Sequence, residues 1–245
     1  MVLKSCALLL LLATVGHAVL PLPPYMKPCS LKDPDFNACV LQHGKDAIPE
    51  MIKGERKYGL PVLDPVEIIE LVLPSDHFKL HLKNVKLTGM KNVDLKSVIY
   101  DLKHHDFIIE MVFPVLQIVS KYEMDGRILL LPISGKGDLN MTVDNVQVKT
   151  HADLNLAKID GRDHLKFTNF QTQAEPKQVH LHFTNLFNGN KLLGDEMNEL
   201  LNKEWRDAWR DFGPAVIEAA NKIIDGMTQS FSETVPFDEW FPEKV

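Results

Sequence analysis

The chain has 245 residues, 45% of them hydrophobic and 24% charged, with a formal net charge of −6 at pH 7. That apolar content supports a packed core and excludes a disordered, charge-dominated chain. The acidic balance argues against a nucleic-acid partner and supplies no basic patch for anionic membranes.

Residues 1–18 read as a signal peptide, leaving 19–245 as the mature chain. Lys4 supplies the positive charge, Ala7 to Ala13 the apolar core, and Gly16-His17-Ala18 a small-x-small cleavage site. The apolar stretch is too short to span a bilayer, and no later segment reaches that length. The expected product is therefore secreted, extracellular and without stable membrane insertion. Loss of Cys6 leaves Cys29 and Cys39. In an oxidising compartment a disulfide is the simplest pairing, and closing so small a loop adds roughly 3 kcal/mol on the chain-entropy model. Two free thiols of a redox site are the rival reading, without the Cys-x-x-Cys spacing that would favour it.

Asp33-Pro34 reads as a helix N-cap followed by proline at the first helical position. Phe36, Cys39, Val40, Ala47, Ile48, Met51 and Ile52 then form a helical stripe, interrupted by Gly44 and Pro49 and ended by Gly54. From Val66 to Phe183 the period becomes two. Phe78, Leu80 and Leu82 alternate with Lys79, His81 and Lys83, and Val179, Leu181 and Phe183 alternate with His180, His182 and Thr184. Asp125-Gly126 and Asp160-Gly161 look like hairpin turns. Short connections imply an antiparallel, meandering sheet, with no strand–helix alternation of the nucleotide-binding kind. Ile128 to Ile133 is apolar throughout, which predicts burial on both faces. Leu139, Met141 and Val143 share one strand face. After Asp144-Asn145 the phase slips to Val146, Val148, Ala152, Leu154 and Leu156, which predicts a β-bulge. The sequon Asn140-Met141-Thr142 makes Asn140 a glycosylation candidate on the opposite face.

Near the end, a stripe from Leu192 to Met227 carries Met197, Leu201, Trp205, Ala208, Phe212, Val216 and Ile223 at steps of three and four. One straight helix of that span measures about 54 Å, against about 45 Å for a compact sphere of this chain. Gly213-Pro214 is the expected bend, because Pro214 lacks the N–H that would bond Arg210. With no second helix to cover the stripe, strands must do so, which gives an α+β fold in one domain. In it the long C-terminal helix is wrapped by a highly curved antiparallel β-sheet.

Motifs that carry chemistry are few. Ser134-Gly135-Lys136-Gly137 lacks the upstream glycine and the hydroxyl residue of a phosphate loop, and reads as a tight turn. No Gly-x-Ser-x-Gly nucleophile occurs. His180 with His182, or His104 and His105 with Asp106, could start a metal site, but no third and fourth ligands can be named, and a solvated polar face is the simpler reading. No catalytic residue, metal or cofactor is assigned. What remains is apolar surface: where packing inside a coiled sheet is incomplete, an apolar channel for a lipid or terpenoid is left. Met111, Met141 and Met197 are candidates to line it, being adaptable, with ordinary core the alternative for each.

Several blocks then carry a resemblance: Asp35-Phe36-Asn37-Ala38-Cys39, Gly59-Leu60-Pro61-Val62-Leu63-Asp64-Pro65, Met124-Asp125-Gly126-Arg127 running on through Gly137, His182-Phe183-Thr184-Asn185-Leu186-Phe187-Asn188-Gly189-Asn190, and Asn202-Lys203-Glu204-Trp205. Over essentially the whole mature chain the sequence resembles the insect takeout and juvenile-hormone-binding protein family, on its takeout-like branch. The resemblance implies a tubular lipid-binding super-roll with an internal hydrophobic tunnel, a disulfide between Cys29 and Cys39, and a non-enzymatic, monomeric carrier of a small hydrophobic ligand. Leu80, Leu82, Met111, Leu129, Leu131, Met141, Val143, Phe183, Leu201, Trp205, Phe212 and Val216 are the residues expected to line the tunnel. Hormone, circadian, feeding or chemosensory signalling is the implied setting. A protein-binding signalling factor without a small ligand, and a lipid-hormone hydrolase, are the alternatives.

Overall fold

A computed structural model describes residues 19–74 and 77–243; the signal-peptide reading of 1–18 lies outside them. Helix α1 (Phe36–Met51) begins two residues later than Asp33-Pro34 suggests. Asp35 is its N-cap, and the Asp33 carboxylate accepts the Asp35 N–H at 2.8 Å in the turn before it. Gly44 does not interrupt the helix, and Pro49 falls in its last turn, where its missing N–H forgoes one intrahelical bond. The Cys29–Cys39 disulfide ties the N-terminal segment to α1, with the two Cα atoms 6.1 Å apart.

Seven antiparallel strands follow: β1 (Val66–Pro74), β2 (Phe78–Thr88), β3 (Asp94–Asp101), β4 (Asp106–Ile128), β5 (Leu131–Ile159), β6 (Arg162–Glu175) and β7 (Gln178–Phe183). The long strands β4 and β5 pair along their whole length, from Asp106 opposite Asp153 to Ile128 opposite Leu131. β2 and β3 lie end to end on the free edge of β4, β6 and β7 end to end on the free edge of β5, and β1 pairs only with β2. Pro176, which cannot donate to a ladder, sits in the break between β6 and β7.

The sheet is an open path with β1 and β6 as its ends, and these two strands do not pair. The tubular super-roll expected from the sequence is therefore not formed; the α+β class stands, with one large open sheet and helices after it. Period-two patterning reports which face of a strand is buried, and it carries no information on whether a sheet closes.

Three local expectations change as well. Asp125-Gly126 is not a turn: both residues stay inside β4, paired with β2 and β5. The hairpin turn is Leu129-Leu130, both at positive φ (54° and 64°), so the apolar run is not buried on both faces; Leu130 is 90% exposed. Asp160-Gly161 does turn β5 into β6, with φ of 47° and 84°. Ser134–Gly137 is neither phosphate loop nor turn but part of β5. A Cβ on Gly137 would come within 2.4 Å of the Thr184 carbonyl, so glycine there lets the 184–186 segment pack on the strand.

The phase slip at Asn145 is present. Buried positions on β5 change from Leu139, Met141 and Val143 to Val146, Thr150, Ala152 and Leu154, and Asn145 has φ of 46°. β4 slips opposite it, at Pro114, so the β4–β5 register is unchanged. The register-shifting irregularities fall elsewhere, between Lys83 and Lys86, between Leu95 and Ser97, and between His151 and Asp153 on β5 opposite Thr168–Gln171.

The C-terminal stripe is two helices, α2 (Lys191–Lys203) and α3 (Trp205–Thr234), followed by the short α4 (Phe237–Trp240). The break falls at Glu204 (φ −101°, ψ 36°), nine residues before the expected bend, and α3 runs through Gly213-Pro214 with Pro214 on its exposed side. On α2, Asn198 and Asn202 lie four apart and face the open edge of β7. The Asn198 amide accepts from the Phe183 N–H and donates to the Phe183 carbonyl, both at 2.9 Å; Asn202 does the same for Leu181, at 2.9 and 2.7 Å. Two side-chain amides thus stand in for a neighbouring strand.

Asn202→Ala leaves the Leu181 N–H and carbonyl without partners, which costs about 1–3 kcal/mol. Thermal unfolding is expected about 3–10 °C lower. Asn202→Asp does not rescue it, because a carboxylate cannot donate to the Leu181 carbonyl.

Candidate functional site

The apolar face of the sheet is built from alternate residues of β2, β4, β5 and β7, and α2 and α3 pack on it through Met197, Leu201, Trp205, Ala208, Phe212 and Ala215. Eleven of the twelve residues singled out from the sequence meet in this one cluster. Leu80, Leu82, Met141, Val143, Phe183, Leu201, Trp205 and Phe212 are buried in it, and Met111, Leu129 and Val216 pack half-buried against it. Leu131 is the exception: it lies at the hairpin mouth beside the turn, 43% exposed, because the turn comes one residue before it. Not all of the helical stripe is covered. Leu192, Leu193 and Ile223 remain exposed.

Polar groups in or beside this region escaped the sequence reading. Ser120 alternates on β4 with Lys121 and Val119 and belongs to the buried face; its hydroxyl has no hydrogen-bond partner among the described residues. Thr150, buried on β5, bonds Thr172 Oγ1 at 2.9 Å, and Thr172 donates to Asn221 Oδ1 of α3 at 2.6 Å. Tyr122 donates to the Thr184 carbonyl at 2.6 Å, and burial pushes its hydroxyl up to about 12, so it stays neutral. Among strand residues a lone serine or threonine carries no periodic signal, so only the fold reveals which face it occupies.

The histidines do not converge. His104 pairs with Asp101 at 2.7 Å, His151 with Asp106 at 2.9 Å and His180 with Asp144 at 3.5 Å, all as separate contacts. His182 lies opposite Asn140 on the exposed face, as His180 lies opposite Thr142. Among the described residues one trio has metal-ligating proximity, Cys29, Cys39 and His43, and its two cysteines are joined to each other. Among the described residues, two surface hollows lie beside α1. One of about 540 Å³ lies beside the disulfide, lined by Lys32, Asp33, His43 and Glu243; one of about 340 Å³ lies between α1 and β3, lined by Lys45, Ile48, Val93 and Leu95. Neither is lined by any of the twelve residues. No described helix is long and apolar enough to cross a membrane.

The sequence model of the family described as Haemolymph juvenile hormone binding protein (JHBP) matches residues 6–242. The chain is similar to the circadian clock-controlled protein daywake of Drosophila yakuba, 29% identical over 246 residues and 94% of each chain. The Drosophila melanogaster protein of the same name is 29% identical over 234 residues, covering 91% of this chain and 89% of that one. Among solved structures, Takeout 1 of Epiphyas postvittana aligns with a TM-score of 0.80 at 29% identity, over 89% of this chain and 100% of that one.

The Asp101–His104 pair has a defined pH signature. The Asp101 carboxylate, by hydrogen bonding and charge, holds His104 above its ordinary value, and the His104 side chain holds Asp101 below its own. The raised histidine contributes stability below about pH 6.5, lost as pH rises through its folded value. The lowered carboxylate contributes above about pH 4, lost as pH falls through its folded value. The pair is worth most between those limits. In an NMR titration, Asp101→Asn is expected to bring the His104 midpoint down, and the difference in melting temperature between the two proteins should shrink from pH 5.5 to pH 8.

Proposed function

The chain belongs to the haemolymph juvenile hormone binding protein family, and from that membership we propose that it is a secreted carrier for a small hydrophobic ligand. Membership is consistent with a non-catalytic, lipid-binding role rather than an enzyme. The observation that supports the site is the meeting of eleven sequence-selected apolar residues in one cluster between the sheet and α2–α3. A ligand burying about 300 Å² of apolar surface there gains about 7–8 kcal/mol before the costs of association. Met111, Met141 and Met197 give the cluster side chains that repack around differently shaped guests. Ser120 and the Thr150–Thr172–Asn221 relay are the polar groups close enough to the apolar face to orient a single oxygen function. The ligand class in this reading is a terpenoid hormone, a fatty acid or a similar lipid. The relatives named as clock-controlled support a place in a rhythmic signalling output, and exposed Asn140, opposite the inward Met141, is the site of an N-glycan.

Organic extraction and native mass spectrometry of protein from a secreting host are expected to find an apolar molecule at about one per chain. Val216→Trp and Met141→Trp, which add bulk to the cluster, are expected to lower uptake of a fluorescent fatty-acid probe about tenfold with far-UV circular dichroism unchanged. A protein that stays empty and takes up no lipid, terpenoid or probe overturns the reading.

A further inference from the structure

The β4–β5 hairpin ends in a turn whose chemistry is unusual. Both central residues, Leu129 and Leu130, have positive φ, a conformation that Asn and Gly adopt cheaply and leucine does not. The second of them is 90% exposed, and Leu131 beside it is 43% exposed. A turn that served only to reverse the chain would be more stable with Asn-Gly, and a tip that faced only water would be more soluble with polar residues. Leu129 is accounted for inside the chain, where it packs half-buried against the apolar cluster; Leu130 lies outside that cluster and answers to something outside the chain.

We propose that this hairpin tip docks the protein reversibly on a neutral, zwitterionic lipid surface. The tip is built to enter an apolar medium. The Leu129 N–H is bonded to Asp211 Oδ2 of α3 at 2.8 Å, Pro132 has no N–H, and Ile128 and Leu131 are the closing pair of the ladder. Few backbone donors at the turn are left to lose water, and the Asp211 carboxylate that takes one of them limits the depth of entry to the side chains of Leu130 and Leu131. The same end of the molecule presents a second apolar pair. Leu186 bridges to Gly135, four residues from Leu131 along β5, and packs near Gly194, which places Leu192 and Leu193 at the start of α2, 70% and 49% exposed, toward that end.

Charge selects the kind of surface. The cations nearby are matched: Lys136 by Glu123, Lys121 by Asp138, Lys191 by Asp195 and Arg210 by Asp207, while Arg127 lies two residues from Asp125. With a chain charge of −6 and no basic excess at the tip, anionic lipid offers no attraction. The two hollows beside α1 offer a second copy's leucine no apolar seat, since they are rimmed by charged residues, Lys32, Asp33 and Glu243 in one and Lys45, Lys91 and Asp94 in the other. The contact is a convex apolar point, suited to a deformable surface and too small for permanent anchoring.

Flotation with phosphatidylcholine vesicles tests the proposal on the full mature protein without cargo, so its failure leaves the carrier reading standing, and an empty carrier leaves the docking standing. Wild type is expected to co-float at high lipid concentration, equally at low and high salt. Leu130→Asn is expected to lower partitioning about tenfold or more while its melting temperature holds or rises, because asparagine suits the left-handed turn. Leu130→Trp is expected to float better than Leu130→Asn, with its fluorescence shifting to the blue on vesicles. Flotation unchanged in Leu130→Asn, binding only to vesicles rich in phosphatidylserine, or a dimer in sedimentation that Leu130→Asn dissolves, would each overturn it.

Discussion

The pairing of β4 with β5 is the constraint on which the other elements depend. It runs from the Asp106–Asp153 pair to the Ile128–Leu131 pair without a change of register. Every other strand except β1 is placed by an edge of these two. Midway, Pro114 and Asn145 face each other and both strands exchange their inward and outward sides. An extra residue on one strand alone would shift every later pair and turn the following hydrophobic set to the wrong face. Matching the slip on both strands keeps the register and lets one sheet serve two apolar clusters, that under α2 and α3 and that around Phe107, Leu154 and α1.

The helices are seated by a different interaction. Apolar burial holds α2 and α3 on the sheet, yet burial is non-directional and does not choose where along a sheet a helix rests. Asn198 and Asn202 supply that choice, since each amide bonds both the N–H and the carbonyl of a single residue of β7, Phe183 and Leu181 respectively. They also satisfy an edge strand that would otherwise offer its backbone to another chain. Glu204, where the backbone leaves the helical conformation, comes two residues after the second of these anchors. α2 is therefore oriented by β7, and α3 by Leu129, Thr172 and His164, which its Asp211, Asn221 and Ser232 carbonyl reach respectively.

The apolar side chains of the molecule divide into an interior cluster and an exposed point. The interior cluster is closed over by helices, which suits a ligand held away from water. The point at Leu130 is held out by a turn that disfavours its own residues. In the proposed reading a carrier meets an apolar ligand in lipid, so the proposed storage site and the proposed contact site have complementary uses. Both are made by the same hairpin: Met141 and Val143 inward along β5, Leu130 outward at its end.

Much was legible in the residues themselves. The period-two runs of Phe78–Leu82 and Val179–Phe183, the inward set Leu139, Met141 and Val143, the helical stripe through Leu201, Trp205 and Phe212, and the Cys29–Cys39 pairing were all local facts, because burial of one face imposes a period and two cysteines leave one partner each. Family blocks along the chain pointed the same way. Other features needed the fold. Asp125-Gly126 has turn chemistry but stays in strand because β2 and β5 pair with it on both sides, while Leu129-Leu130 turns despite its chemistry because the β4–β5 register closes there. Leu131 fell on the wrong side of that point. Whether the sheet rolled shut, where the long helix broke, and which polar groups lay among the apolar ones depended on contacts between residues far apart in the chain. Sequence by itself determined which residues prefer burial and the period of each element; the tertiary structure alone decided how those faces met, because hydrophobic patterning specifies a side and never a partner.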